Sequence, residues 1–289
     1  LNRCTLTGNS AYFGGALYNR LGPVYLNNCT IVGNTADDQG GGIYIYVSQT
    51  RLNNCTVSDN HAPQAGGLYS FNSGSATLVN TIISSNRATI SFPDVLATLN
   101  GASQNNIIGG DARLGPLADN GGPTKTMALL AGSPAINAGV AVGGITTDQR
   151  GQPIFQAPDI GAYEYPPSPP TITSPSSTTF LSGIFNSFIF ISDGNPLSTF
   201  SVTGALPAGV TLSTNGILSG TPTLGTEGVY PVTVNAANVD TNGNPQAADQ
   251  AFTLTVTRVG LEVTTTADED DGTADPGTGA GTSLREAVN

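Results

Sequence analysis

The chain has 289 residues, 37 of them glycine and 19 proline, lacks tryptophan, and carries a formal net charge of −11. Nine basic residues against twenty acidic ones cannot cover a run of phosphates, which excludes nucleic acid as a partner and disfavours anionic membrane surfaces. Frequent turn formers and few charged residues point to an all-β protein, long enough for two domains of the usual size of about 100–200 residues.

No apolar run approaches the ~20 residues of a membrane-spanning helix, so no membrane insertion is expected within the chain. Leu1 does not open a signal peptide. Cys4, Cys29 and Cys55 are odd in number and recur at one repeated position, which favours buried free thiols over a disulfide framework.

Residues 1–90 contain one motif four times: LNRCTLTGN at 1–9, LNNCTIVGN at 26–34, LNNCTVSDN at 52–60 and LVNTIISSN at 78–86. A period of 25 or 26 residues marks a solenoid, in which each unit buries its apolar face only against its neighbours. Alternate residues within each motif are apolar, as in a strand with one inward face. Cys4, Cys29, Cys55 and Thr81 should form one interior column, and Leu6, Ile31, Val57 and Ile83 the next. Asn9, Asn34, Asn60 and Asn86 follow each strand where the chain turns, and are read as an asparagine ladder, with a polar ligand site as the alternative.

Gly14-Gly15, Gly41-Gly42 and Gly66-Gly67 precede AlaLeuTyr, IleTyrIleTyr and LeuTyr, the pattern of a tight bend entering a second strand. No helix follows them, as a phosphate-cradling loop would require. Repeats that combine Gly-Gly-apolar with a strand ending in Asn resemble the right-handed parallel β-helix passengers of bacterial surface proteins, polymorphic outer-membrane proteins among them, and pectate-lyase-like folds. The segments at 114–139 and 147–165 resemble the closing coils of choice-of-anchor β-helix domains, which implies a β-helix with closing coils over 1–165. Asp148, Arg150, Asp159 and Glu164 form the densest charge group there, read as an ion-paired loop, with catalytic carboxylates as the alternative.

ProProSerProPro at 166–170 reads as an extended linker. Beyond it, strand-like runs at 187–191, 229–234 and 251–256 alternate with turns, as in an antiparallel sandwich. LPAGVTLSTNGILSGTPT at 206–223 resembles the immunoglobulin, cadherin-like modules of bacterial surface proteins over 171–257, with Asn215-Gly216 in a hairpin turn. Asp240, Asn242 and Asn244 imitate the first three ligands of a calcium loop. Pro245 and Ala251 stand where that loop needs Gly and Glu, so a plain turn is preferred, with calcium as the alternative and no other cofactor expected. SerLeuArgGluAla at 283–287 resembles the opening of a CSLREA domain over 258–289, with Thr282 in place of the leading Cys. A chain that starts within a repeat and ends as another unit opens is expected to belong to a longer tandem polypeptide.

These readings converge on a non-catalytic structural or adhesive module, extracellular or on the cell surface, that contacts glycans or surface proteins. The alternative is a polysaccharide lyase or glycoside hydrolase. Asp37 and Asp38 form no acidic column, because Tyr12 and Phe13, or Pro63 and Gln64, hold the equivalent places. His61 is the single histidine and is read as a solvated turn residue, which removes histidine triads and multi-histidine metal sites from the chain. Tyr12, Tyr18, Tyr44 and Tyr69 recur near the glycine bends, where they face the core or stack on one another, with exposed faces for sugars as the alternative.

Overall fold

The computed structural model describes residues 1–240 and 242–258, and every regular element among them is a β-strand. Two compact units divide between Pro167 and Ser168.

The first unit is a parallel solenoid of four coils with four strands each. β1 (Thr5–Thr7), β2 (Ser10–Phe13), β3 (Leu17–Asn19) and β4 (Val24–Asn27) form the first coil. The second contains β5 (Thr30–Val32), β6 (Thr35–Gln39), β7 (Ile43–Tyr46) and β8 (Gln49–Asn53). The third contains β9 (Thr56–Ser58), β10 (His61–Gln64), β11 (Leu68–Phe71) and β12 (Ser75–Val79). The fourth shortens through β13 (Ile82–Ser84), β14 (Arg87–Ser91), β15 (Val95–Leu96) and β16 (Thr98–Leu99), and β17 (Ile107–Ile108) begins a fifth. Strands stack into four parallel sheets, β1-β5-β9-β13-β17 being the longest.

Register follows the sequence repeat. Leu6 pairs with Ile31, Ile31 with Val57 and Val57 with Ile83, and on another wall Leu26, Leu52 and Leu78 align. Inward members of these columns are fully buried from Leu26 to Ile83 and make one continuous core. Each such aliphatic side chain contributes roughly 1.5–3 kcal/mol by leaving water. The coils approach backbone to backbone at the glycine bends: a Cβ on Gly41 would lie 2.3 Å from the His61 carbonyl oxygen and 2.6 Å from that of Gly66. The left-handed residue of the bend is the one before this contact, Gly14 or Gly40, and in the third coil Ala65 takes that conformation with φ of 49°.

The segments expected to close the solenoid as further coils do something else. Residues 111–165 form a strap that runs back along the outer face of the β1-β5-β9-β13-β17 sheet. It opens with an antiparallel pair, β18 (Leu114–Ala118) and β19 (Thr126–Leu129). The physical reason is the chemistry of that face, where outward Thr5, Thr30, Thr56 and Ile82 share one register position. Ile82 packs with Ala112, Leu129, Ala135 and Ile160, while the threonine hydroxyls bond the strap. Gln149 accepts from Thr30 Oγ1 at 2.7 Å and donates to Thr5 Oγ1 at 2.8 Å, and the Ala162 amide donates to Thr56 Oγ1 at 3.0 Å.

The second unit is an all-β, immunoglobulin-like sandwich. β20 (Ser168–Ile172) starts inside the run read as a 166–170 linker, because Ser168 and Thr171 pair with Asn195 and Asp193 on β23. β21 (Ser177–Leu181), β22 (Asn186–Ile189), β23 (Ser192–Asn195) and β24 (Thr199–Thr203) follow. After them come β25 (Val210–Leu212), β26 (Ile217–Gly220), β27 (Gly228–Val239) and β28 (Pro245–Thr257). One sheet runs β21-β28-β27-β24 and the other β22-β26-β25. Between them Phe180, Phe190, Phe200, Leu218, Val234, Phe252 and Leu254 form the core. Asn215 and Gly216 lie in the β25–β26 connection, where Gly216 has φ of 82° and its amide donates to Ser213.

Candidate functional site

Asn34, Asn60 and Asn86 are wired in both directions along the solenoid, and Asn9 to the second coil. Asn34 Oδ1 accepts from the main-chain amide and Nδ2 of Asn9 at 3.0 and 2.9 Å, Asn60 Oδ1 does the same for Asn34, and Asn86 Oδ1 for Asn60. The second Nδ2 proton of Asn60 reaches back to the Ile31 carbonyl at 3.0 Å. The ladder ends on Asp94, whose Oδ1 accepts from the Asn86 amide and Nδ2 at 3.1 and 2.9 Å. The left-handed residue of each turn is not the asparagine but its predecessor, Gly8, Gly33, Asp59 or Ser85. Asn34, Asn60 and Asn86 are buried within this chain of bonds.

Cys4, Cys29 and Cys55 are free thiols in one column, bonded weakly to main-chain carbonyls such as Asn27 and Asn53. Burial pushes the Cys55 thiol well up, and its contact with Cys29 adds to the rise.

The strap gathers Asp148, Arg150, Asp159 and Glu164. Arg150 Nε pairs with Asp148 Oδ2 at 2.7 Å, with both side chains at least nine-tenths buried. The guanidinium lies 3.6 Å over the Tyr163 ring and donates to the Glu164 and Asn120 carbonyls. Asp148 accepts the amides of Arg150, Gln152 and Glu164. Glu164 accepts those of Phe155 and Asp159 at 3.1 and 3.0 Å, and Asp159 those of Asn137 and Tyr165. Burial pushes the Asp159 carboxyl up to about 6 and the Glu164 carboxyl up to about 7, against the charge-favouring pull of those amides. Chemically the group closes several loops at once, with its acceptor atoms turned to the main chain.

A groove of about 420 Å³ lies between the loop 142–145 and the outer face of β4 and β8, lined by Tyr25, Asn27, Arg51 and Asn53. Tyr25 pairs in register with Arg51, and Asn27 with Asn53. Arg51 Nε donates to Asn53 Oδ1 at 3.1 Å, and Asn53 Nδ2 donates to Asn27 Oδ1 at 2.8 Å. Both ends of the loop are pinned by corner asparagines: Asn80 Nδ2 to the Val140 carbonyl at 2.7 Å, and Asn28 Nδ2 to that of Thr147 at 2.8 Å. Asn28, Asn54, Asn80 and Asn105 hold left-handed corners. The doubled Asn of the motif carried that signal, but only the strap reveals what it holds.

Tyr18, Tyr44 and Tyr69 share one outward register position, with Tyr44 and Tyr69 stacked at 5.3 Å and 10°. Tyr44 and Tyr69 are buried by their neighbours, whereas Tyr12 and Tyr18 remain exposed. His61 is half-buried at the start of β10, in register with Thr35 and Arg87. Asp37 and Asp38 lie on β6. Asp240 turns its carboxylate inward on the β27–β28 hairpin, accepting from the Asn242 and Asn244 amides at 2.8 Å and from Asn244 Nδ2 at 2.9 Å. The bond from the Asn244 side chain, then that from its amide, hold the Asp240 carboxyl below its ordinary range. Asn244 thus presents nitrogen, not oxygen, to the first position of the suspected calcium loop, and the three residues close a turn. No cluster of three or more His, Cys, Asp or Glu suited to a metal occurs among the described residues. The CSLREA-like segment lies outside the described residues.

Among known proteins, residues 156–257 match the family described as Putative Ig domain, and residues 28–46 match the Chlamydia polymorphic membrane protein repeat. The first match opens at 156, within the strap, twelve residues ahead of the sandwich itself. No curated protein matches the chain. Two solved structures from Bacteroides fragilis NCTC 9343, a putative alpha-galactosidase/melibiase and a putative alpha-galactosidase, align over 31% of this chain at 20% and 24% identity, each with a TM-score of 0.27. The aligned region spans 18% of each of those chains. Among the described residues no helix is long and apolar enough to cross a membrane.

Proposed function

We propose that the chain is a non-catalytic structural or adhesive module of a secreted or cell-surface bacterial protein, whose outer faces contact glycans or proteins. The observation that carries this reading is the use made of the buried carboxylates. Asp148, Asp159 and Glu164 direct their oxygens at main-chain amides and Arg150. Glycoside hydrolysis instead needs two carboxyl groups facing one bond, with acceptor atoms open to substrate and water. The similarity of residues 28–46 to a membrane-protein repeat supports a surface location, and the strap segments are those that resemble choice-of-anchor ends.

The rival reading, a polysaccharide lyase or hydrolase, draws on the raised Asp159 and Glu164 carboxyls, since perturbed groups gather at catalytic centres. A depolymerisation screen on neutral and acidic polysaccharides, reading reducing and unsaturated ends, separates the two. The expected result is no turnover. Turnover by the chain that is lost in Asp159→Asn or Glu164→Gln variants that still fold would overturn the proposal.

A further inference from the structure

Resting on the glycan-contacting part of that reading, we propose that the groove beneath the loop 142–145 binds a sugar unit bearing an oxyanion, a carboxylate or a sulfate ester. The argument begins with charge. In a chain of net charge −11, the groove is lined by one arginine and no acidic residue. Among the described residues Arg51 bonds a protein partner, Asn53, through Nε alone, so the two terminal nitrogens form an open fork of the shape that pairs with a carboxylate or sulfate. Such an unpaired cation beside a concave surface is what an anionic ligand completes.

The neighbours favour a sugar over other anions. Tyr25 stands beside Arg51 on the adjacent coil, about 4.8 Å along the axis, and is 57% exposed, leaving its ring as a flat apolar face for the C–H side of a pyranose. The relay from Arg51 through Asn53 occupies Asn27 Oδ1, which leaves Asn27 Nδ2 as a donor to a hydroxyl. A volume of about 420 Å³ falls within the range of small-ligand clefts. The opposite wall is a built one: the corner asparagines Asn28 and Asn80 hold both ends of the loop, so the groove's width is set by the same solenoid that places Tyr25 and Arg51.

Isothermal titration of the full chain with a glucuronate-containing tetrasaccharide, its methyl ester, a sulfated neutral tetrasaccharide and a poly-glutamate peptide tests the assignment. Arg51→Gln should weaken the acidic tetrasaccharide by roughly tenfold or more, the scale of a lost charged hydrogen bond. Esterification should cost the unaltered chain the same factor and leave no further loss in the variant. Tyr25→Ala should weaken acid and ester alike. Arg20→Gln, which removes a cation 6.0 Å from the Tyr46 ring on another face, should change nothing. Tyr25 and Arg51 are both exposed, so unchanged melting temperatures confirm that the variants fold. Comparing the sulfated and glucuronate arms identifies which oxyanion the fork prefers.

Indifference of binding to Arg51→Gln and to esterification would overturn the proposal, as would equal or tighter binding of the poly-glutamate peptide or no saccharide binding by the unaltered chain. Release of reducing or unsaturated ends in the same samples would refute the non-catalytic reading while leaving an Arg51-dependent affinity intact.

Discussion

In the coils a residue's partners lie 25 or 26 positions away, as Asn34 shows with Asn9 and Asn60; in the strap they lie up to 146 positions away, as Arg3 shows with the Gln149 carbonyl. The coils are held by backbone stacked on backbone and by apolar columns that repeat. The strap is held chiefly by individual side chains, an ion pair and hydroxyls, at positions that do not repeat. A repeat distributes its stability among neighbours, so a defect in one coil is felt by the next. A strap fastened at separate points can open at one of them while the surface beneath stays folded. The two regions belong to one unit yet should fail in different ways.

The largest effect should come from crowding the coils where their backbones meet. Gly41→Ala places a methyl group 2.3 Å from the His61 carbonyl oxygen, 2.5 Å from its carbon and 2.6 Å from the Gly66 oxygen. None of these is a flexible side chain, so the second and third coils must separate. The expected loss is on the order of 5 kcal/mol, at the upper end for single substitutions. Chemical denaturation followed by a probe in the solenoid should show that unit's transition moved to much lower denaturant. If Gly41→Ala unfolds within about 1 kcal/mol of the parent, backbone contact at the bends is not what spaces the coils.

The contrast also explains what could be read from the sequence. Solenoid, inward columns and asparagine positions were legible because each recurs at a fixed spacing, and recurrence survives local ambiguity. The strap was read as closing coils because nothing in 111–165 announces that its partners are Thr5, Thr30 and Thr56 on the first, second and third coils. Outward threonines look like ordinary strand residues until something docks on them. Asp94 escaped for a similar reason: it takes the ladder's next place only eight residues after Asn86, out of step with the repeat. Of the groove, Tyr25 with Asn27 and Arg51 with Asn53 could be placed on one outward face by alternation, but its far wall comes from the distant loop 142–145. The turn at Asp240, by contrast, was legible locally, in the Asn-Gly-Asn that follows its neighbour.

A second substitution should release the strap and spare the coils. Arg150→Ala removes the partner of Asp148, the cover of the Tyr163 ring and the donor to the Glu164 carbonyl. Deleting one member of a buried pair costs about 3–5 kcal/mol, because the other charge is left without compensation. Here that cost should appear as local opening. Amides of 137–165 should exchange with deuterium much faster while those of β5 to β12 keep their protection. Uniform loss of protection across both regions would show that strap and coils open together, and the comparison would fail.

The smallest of the three effects is a dependence of the strap on pH. Glu164 titrates near 7 in the fold against an ordinary 4.5, and Asp159 near 6 against 3.8, in both cases chiefly because burial disfavours the charged form. Folded pKa values raised above unfolded ones mean that the folded state holds protons the unfolded state has released. Stability contributed by these groups is therefore greatest below about pH 4 and declines as pH rises towards 7. Both shifts are already net of the pull of the amides these carboxyls accept, and only part of each is expressed between pH 5 and pH 8, because the unfolded carboxyls are largely ionised by pH 5. Exchange of the 137–165 amides, corrected for the intrinsic pH dependence of exchange, should show the strap more protected at pH 5 than at pH 8, with the coils level. Glu164→Gln, which cannot ionise, should flatten most of that slope. A strap equally protected at both pH values would mean that the main-chain amides around Glu164 and Asp159 fully compensate their burial, and that strap and coils differ in wiring but not in response to protons.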